Sequence, residues 1–561
     1  VSIRPLLAFI LPPLLAACTA GTLAQRPAIA VEQPATPPLD DDSDAWFRHG
    51  AAEAARRGAA ESRARNLVLF VGGGMGLTTV AAARILQGQR LGARGEEHRL
   101  AFEEFPHTAL ARTYNTDYQT PDSAGTMTAM ASGVKTRMGL LGIGPSVRRT
   151  DCAGSRGDEL ITLLELAGLA GLATGVVTTT RITHATPAAT FARSAERNWE
   201  DDVALAPAAA AEGCLDIARQ LVEPRLWRGP DVALGGGRDR FLPRDAGGLR
   251  ADGRDLVAQW RARTGGRYVE DAAGLAALDP ADPTPVLGLF ARDHLQFEHD
   301  RLRAAPGEPS LTAMTRAAIR RLSRATGGYV LVVEGGRIDH AHHLGNAYRA
   351  LTDTIAFADA VRAALALVDL DDTLVVVTAD HSHVLSFAGY PARGNPILGL
   401  VRGGSGEGGT GGALALDALG LPYTTLSYAN GPGYGGASVQ QPEGAKRLRH
   451  DFSAVAAIRA GRPDLRTIDP AAPDYLQEAA VPLASETHGG EDVPVYAEGA
   501  GAAAFRGNLE QHVIHHLMLQ AMPRLRAHLC GAGLCNPRGI PTRVPRPANL
   551  APPVPVAEDP P

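Results

Sequence analysis

From Asn66 onward the chain alternates short aliphatic and β-branched runs with longer stretches of helical periodicity. The runs fall at residues 67–71, 175–179, 232–234, 286–290, 329–333 and 374–378. Short apolar runs separated by helical sequence predict an α/β fold, with a mostly parallel central sheet flanked by helices. Ahead of them, residues 45–65 read as one charged, alanine-rich helix. Residues 389–474 break the rhythm with glycine-rich, irregular sequence and read as an inserted subdomain or lid. From residue 536 to the end, nine of 26 residues are proline, so this tail is expected to be disordered. The main folded unit is therefore placed at residues 45–535.

The first 44 residues have a different character. Arg4 precedes a twelve-residue apolar stretch, residues 6–17, too short to span a bilayer. It ends Leu15-Ala16-Ala17-Cys18, which resembles a bacterial lipoprotein signal cut before a lipid-modified cysteine. An ordinary secretory signal is the alternative. Both imply export to the cell envelope or periplasm; only the first anchors the protein to the membrane, at Cys18. Residues 19–44, rich in Pro, Ala and Asp, read as a linker. Four cysteines remain, an even number in an oxidising compartment, and they allow three pairings. Cys530 and Cys535 are near enough in sequence to bridge locally, which would leave Cys152 for Cys214. With 55 basic and 60 acidic residues the net charge is −5, so no nucleic acid or other polyanion partner is indicated.

Chemistry concentrates where the apolar runs end. The run 329–333 leads into Glu334, Gly335 and Gly336, and then Asp339, His340, His342 and His343. Asp339 and His343 stand at i and i+4, on one face if the segment is helical, and can grip one ion. The run 374–378 leads into Asp380, His381, Ser382 and His383. A third candidate group, residues 486–492, contains Glu486, His488, Glu491 and Asp492. Carboxylates and imidazoles at this density suit Zn²⁺ or Mg²⁺. Ser123, in Thr120-Pro121-Asp122-Ser123-Ala124-Gly125-Thr126, stands at an expected helix start. Such a serine is often no more than part of a cap. It also has the backbone N–H groups of a helix N-terminus at hand for a phosphoryl group, and a nearby zinc can hold its oxygen as an alkoxide.

The stretches 122–126, 178–190, 332–343, 377–383 and 487–493 together resemble the alkaline phosphatase family, with the likeness running from about residue 66 to about 522. The branch with histidines near the magnesium site is the nearer one, because His184 and His340 stand where other members have Asp and Lys. The resemblance implies a phosphomonoesterase with two Zn²⁺ and one Mg²⁺. It makes Ser123 the transiently phosphorylated nucleophile and Arg197 the bidentate clamp on two phosphate oxygens. It implies Asp339, His343 and His488 for the first zinc, and Asp380, His381 and the Ser123 oxygen for the second. Thr186 and Glu334 would hold magnesium, with His184 and His340 behind them, and His383 would stand behind the zinc ligands. It further implies pairing of Cys152 with Cys214, a crown-like insertion around residues 389–474, and a homodimer that the N-terminal helix reaches.

The chain departs from the pattern at one place. The family's first strand ends Gly-Asp-Gly-Met-Gly, and its aspartate bridges the second zinc and the magnesium. Here the sequence is Gly72-Gly73-Gly74-Met75-Gly76, so the bridging carboxylate is missing at Gly73. This puts the magnesium site in doubt and weakens the second zinc site, with catalysis expected to suffer. At its limit the departure suggests a weak relative kept as a phosphate- or metal-binding envelope protein. The run is no dinucleotide fingerprint, since Leu77 occupies the third glycine position. His512, His515 and His516 are expected on a packed amphipathic helix, and the glycines of 399–412 in a surface loop. No calcium site is expected, because Ala291 rather than an acid follows Phe290.

Overall fold

The computed structural model describes residues 37, 41–304, 307–403, 412–437, 440–450 and 462–550. The expected signal segment 1–18, Cys18 and most of the linker lie outside the described residues. Strands in chain order are β1 (Asn66–Gly72), β2 (His107–Arg112), β3 (Ala173–Arg181), β4 (Val232–Gly236), β5 (Arg267–Val269), β6 (Val286–Leu289), β7 (Tyr329–Gly335) and β8 (Thr373–Ala379). They continue with β9 (Ser382–His383), β10 (Leu385–Phe387), β11 (Leu426–Gly431), β12 (Ala479–Pro482), β13 (His488–Gly489), β14 (Val493–Gly499) and β15 (Gly507–Glu510).

Ten of them form one sheet in the order β15-β2-β14-β8-β1-β7-β3-β4-β6-β5. Pairing is parallel from β8 through to β5, and β14 alone runs against its neighbours. The central strands are buried along nearly their whole length, as a parallel sheet covered on both faces requires. All six apolar runs are strands. Register then decides where the chemistry meets: Gly72 pairs with both Gly335 and Ala379, and Thr178 with Glu334. The residues that leave β1, β7, β8 and β3 are thus brought to one edge, at the carboxyl ends of parallel strands, where α/β proteins form their sites.

Two expectations about the periphery change. The helix expected at 45–65 is Ser43–Arg56, capped by Asp42 accepting from Asp44 N–H; the chain turns at Gly58, which sits at φ +82, and a separate 3₁₀ turn follows. The tail from 536 is ordered as far as residue 550. Ile540 packs on Ala51 and Ala55, and Val544 and Leu550 enter the main core, so its prolines shape turns over an apolar surface. The irregular region supplies β11, which joins β10 and β12 in a three-stranded sheet. Disulfides join Cys152 to Cys214 and Cys530 to Cys535.

Helix Gln511–Ala521 is buried on every side rather than amphipathic, because helix Ser43–Arg56 covers one flank and helix Ser123–Ser132 another. Of its three imidazoles, His512 packs with His49, and His515 and His516 pack against Phe47. His49 Nδ1 meets His512 Nε2 at 3.2 Å, and His516 Nε2 donates to the Gly133 carbonyl at 3.1 Å. Burial holds His512 and His516 well below the ordinary imidazole value and lowers His515 to about 4. Burial also lowers neighbouring His49, against the pull of Glu53 and Glu510 and with the help of Arg56 and Lys135. These groups are neutral when folded but take a proton near pH 6.5 when unfolded. Their full contribution is therefore present above about pH 6.5 and is lost as pH falls towards the folded values, at about 1.4 kcal/mol per group per pH unit. For His515 alone the loss from pH 6.5 to 5 is about 2 kcal/mol. Denaturant midpoints at pH 7 and pH 5 should show this loss, and His515→Gln should reduce it. Equal pH dependence in the two proteins would show that His515 takes no part.

Candidate active site

Ser123 is the first residue of helix Ser123–Ser132, whose ten residues are all buried. Its run of Ser, Ala, Gly, Thr and Met is small enough to lie inside the core; a Cβ on Gly125 would strike the Asn115 side chain at 2.7 Å. Asp122 caps it. One carboxylate oxygen accepts from Gly125 N–H and Asn115 Nδ2, both at 3.0 Å; the other accepts from Gly139 N–H at 3.1 Å and Arg197 Nη1 at 3.0 Å. Burial opposes ionisation, but Arg197 and these N–H groups hold the Asp122 carboxyl below its ordinary range. Asp122 therefore seats the helix start and ties Arg197 beside Ser123. The sequence reading gave it no such role.

Asp339, on the short helix Arg337–His343 after β7, faces His343 and His488. His343 Nε2 is 3.5 Å and His488 Nε2 3.4 Å from its carboxylate, and the two Nε2 atoms are 3.1 Å apart. Each imidazole spends its other nitrogen on a carbonyl, His343 Nδ1 on Glu486 at 2.6 Å and His488 Nδ1 on Pro121 at 2.8 Å. With Nδ1 donating to a carbonyl, the neutral form of each ring has its Nε2 lone pair free for a ligand. Ligands 2.0–2.1 Å from a tetrahedral ion stand about 3.3 Å from one another, and this spacing fits.

The neighbouring group has the same character. His381 Nε2 is 3.2 Å from Asp380 Oδ2 and 3.1 Å from Ser123 Oγ. Asp380 Oδ1 accepts from Gly74 N–H at 2.9 Å and His381 N–H at 3.0 Å, while buried Oδ2 has no hydrogen-bond partner. Burial and the nearby Asp339 raise the Asp380 carboxyl. An orphaned buried carboxylate oxygen beside an imidazole and a hydroxyl is what a cation would satisfy. The two groups share one cleft, with the His381 and His488 rings stacked at 3.6 Å.

Asp339, His381, His383 and His488 also bring ligand atoms within 4.8 Å of one another, as do His343, His383 and Glu486. Both nitrogens of His383 are engaged, however, Nε2 with Asp339 at 2.7 Å and Nδ1 with Glu486 at 2.5 Å. Against the pull of burial, the two carboxylates push its pKa up to about 10. His383 is a charged brace between them rather than a free donor. Glu486 belongs to the third candidate group but not to the expected ligands. Fully buried, it also accepts from Val384 N–H at 2.8 Å and so fixes His383, while its carbonyl fixes His343.

At the expected magnesium position, Glu334 accepts from Thr178 Oγ1 and Thr180 Oγ1 and lies against Thr186. Burial pushes its pKa up to about 7. The two expected outer imidazoles, His184 and His340, pack against each other and against a third, His294, that the sequence did not single out. His294 is 4.3 Å from His340 and 5.3 Å from His184, ring to ring. Its place just past the end of β6 was the available signal. Magnesium requires near-octahedral oxygen ligands; the single carboxylate of Glu334 with threonine hydroxyls falls short of that demand. A Cβ at Gly73 would lie 3.2 Å from Asp339 Cβ and 3.3 Å from Gly336 Cα, so the turn fits glycine closely.

The structure thus brings every expected site residue into one region. The model of the family described as alkaline phosphatase matches residues 64–523. The mouse tissue-nonspecific alkaline phosphatase isozyme is 40% identical over 473 residues, covering 82% of this chain and 83% of that protein. The chicken isozyme is 42% identical over 475 residues, covering 82% and 84%. Among solved structures, the alkaline phosphatase of Thermus thermophilus is 26% identical with a TM-score of 0.58, covering 82% of this chain and 92% of that one. A match across the sheet and all the candidate ligands, at this identity, means that the chain belongs to the alkaline phosphatase family.

Proposed function

We propose that this phosphoric monoester hydrolase works through a phosphoserine at Ser123, with two zinc ions beside it. The observation that carries this is the convergence of bare Nε2 atoms and carboxylate oxygens within about 3–3.5 Å, beside a serine at a helix N-terminus. Asp339, His343 and His488 would hold the first zinc; Asp380, His381 and Ser123 Oγ the second. When bound, the ions supply Lewis acidity that stabilises charge on the attacking and leaving oxygens.

The chain's own groups do the rest. Arg197, tethered by Asp122, binds two equatorial oxygens of the phosphoryl group. Ser123 Oγ gives up its proton and forms a bond to phosphorus as the ester P–O bond breaks. The leaving oxygen departs with that electron pair and takes up one proton, which balances the one serine lost. Water then attacks phosphorus, the Ser123–phosphorus bond breaks, a proton of the attacking water returns to Ser123 Oγ, and inorganic phosphate leaves. Glu486 and His383 keep Asp339 in place through both halves.

The test is hydrolysis of p-nitrophenyl phosphate together with metal content by mass spectrometry. About two zincs per chain are expected, with activity abolished by chelator and restored by Zn²⁺. Zinc without turnover would favour the second reading, a weak phosphate- or metal-binding relative, for which Gly73 is the supporting observation. The same proposal takes residues 389–474 as a lid or crown, the chain as a homodimer, and Cys18 as the lipid anchor of an envelope protein. Membrane fractionation of Cys18→Ser checks the last.

A further inference from the structure

A cavity of about 450 Å³ lies beside the Cys152–Cys214 disulfide and contains none of the candidate catalytic or metal residues in its wall. Its apolar side is Ile143, Phe191, Leu215, Leu226 and Trp227. Six charged residues also line it, and three of them, Glu165, Arg193 and Glu223, are neutralised locally. Glu165 pairs with Arg193 at 2.5 Å, and Glu223 with Arg219 and Arg254. Glu159 accepts from Gly157 N–H at 2.7 Å. Arg156 donates to the Glu212 carbonyl. Among the described residues, neither Arg156 nor exposed Arg225 has a carboxylate partner, so the cavity has two uncompensated guanidiniums against one uncompensated carboxylate.

The geometry points to an accessory binding site for a small molecule that joins an apolar, preferably aromatic, body to a single carboxylate. The volume is in the range of small-ligand pockets, which pair an apolar lining with a few polar groups that orient the ligand. A ring would lie against Trp227 and Phe191, and its carboxylate would face Arg225. Gly168 sets the position of the indole, because a Cβ there would meet Trp227 at 2.4 Å.

The wall is also joined to the catalytic cleft. Phe191 and Arg193 belong to the segment that ends in Arg197. Ser194 exchanges backbone hydrogen bonds with Leu141 at 2.8 and 2.9 Å, and Arg197 N–H donates to Gly139 at 2.9 Å, on the stretch whose N–H group binds Asp122. An occupant that shifts Arg193 therefore bears on Arg197, and its effect should appear in KM for a phosphate ester. This coupling rests on Arg197 as the phosphate clamp; binding in the cavity does not.

The experiment is isothermal titration of the zinc-loaded protein with 2-naphthoate, in the presence of saturating inorganic phosphate to occupy the catalytic cleft. One naphthoate per chain is expected. Arg225→Glu and Gly168→Ala, each checked for an unchanged thermal midpoint, should weaken binding at least about tenfold. Absence of saturable binding, displacement by phosphate, or unaltered affinity in Arg225→Glu would overturn the site. Binding that leaves KM unchanged would overturn the coupling. Naphthoate binding by a protein without phosphatase activity would uphold this site while refuting the catalytic proposal.

Discussion

Ser123→Ala is expected to lower kcat for an aryl phosphate by at least about 10³-fold, by removing the covalent route. Arg197 stays tied to Asp122, whose bonds to Gly125, Asn115 and Gly139 do not involve the Ser123 side chain. Phosphate binding should therefore survive, and a residual rate from direct attack by water should remain. The first zinc group does not include Ser123 and should hold its ion; the second, left with Asp380 and His381, should bind more weakly. Acid quenching during turnover with radiolabelled substrate should trap label on Ser123 of the unaltered protein and none on the variant. Label on another residue, or an unchanged rate, would refute the assignment.

Gly73→Asp should raise kcat at limiting metal by about two orders of magnitude, since even outer-shell contacts to a metal site are worth about 10–100-fold in affinity or activity. Gly73 follows β1 at the point where Gly336 leaves β7 and Asp380 leaves β8. A carboxylate there would add a ligand shared by the second zinc and a third ion, and offset part of their mutual repulsion. Among the described residues, the expected magnesium position has Glu334 as its carboxylate. The cost is steric: Asp339 and Gly336 must each give by a few tenths of an ångström to admit the new Cβ. Phosphatase activity of both forms across a Zn²⁺ and Mg²⁺ titration separates the two effects. The unaltered protein should be partly rescued at high metal, the variant should need less, and metal content should rise from two towards three ions per chain. Equal activity at limiting metal would mean that Gly73 leaves no functional gap.

Much of this site is legible in the chain because its ligands leave the ends of recognisable strands. Glu334 and Asp339 follow the run ending at Val333, and Asp380 and His381 follow β8. Such runs are apolar enough to identify as buried strands without coordinates, and the end of a buried strand is where polar side chains first find room. Ser123 and Asp122 carry a cap pattern, and Gly73 is a departure visible only against a family motif.

Other parts depend on tertiary packing. Residues 45–65 have helical composition throughout, yet the helix stops at Arg56, because Gly58 adopts a left-handed turn that helical periodicity does not encode. The prolines of 536–550 read as disorder until Ile540, Val544 and Leu550 find an apolar surface made by distant residues. His512, His515 and His516 read as one face of an amphipathic helix, but two other helices bury both flanks. Glu486 and His294 look ordinary in sequence. Each becomes part of the site only because register places Gly72 between Gly335 and Ala379, bringing loops more than a hundred residues apart to one edge. The sequence by itself determined six of the ten strands of the main sheet, the helix start at Ser123 and the ligand types, since these follow from local apolar patterning and capping. Which imidazole presents a bare lone pair and which is a charged brace was decided only by the tertiary structure, because the proton on each ring is placed by a carbonyl or carboxylate from elsewhere in the chain.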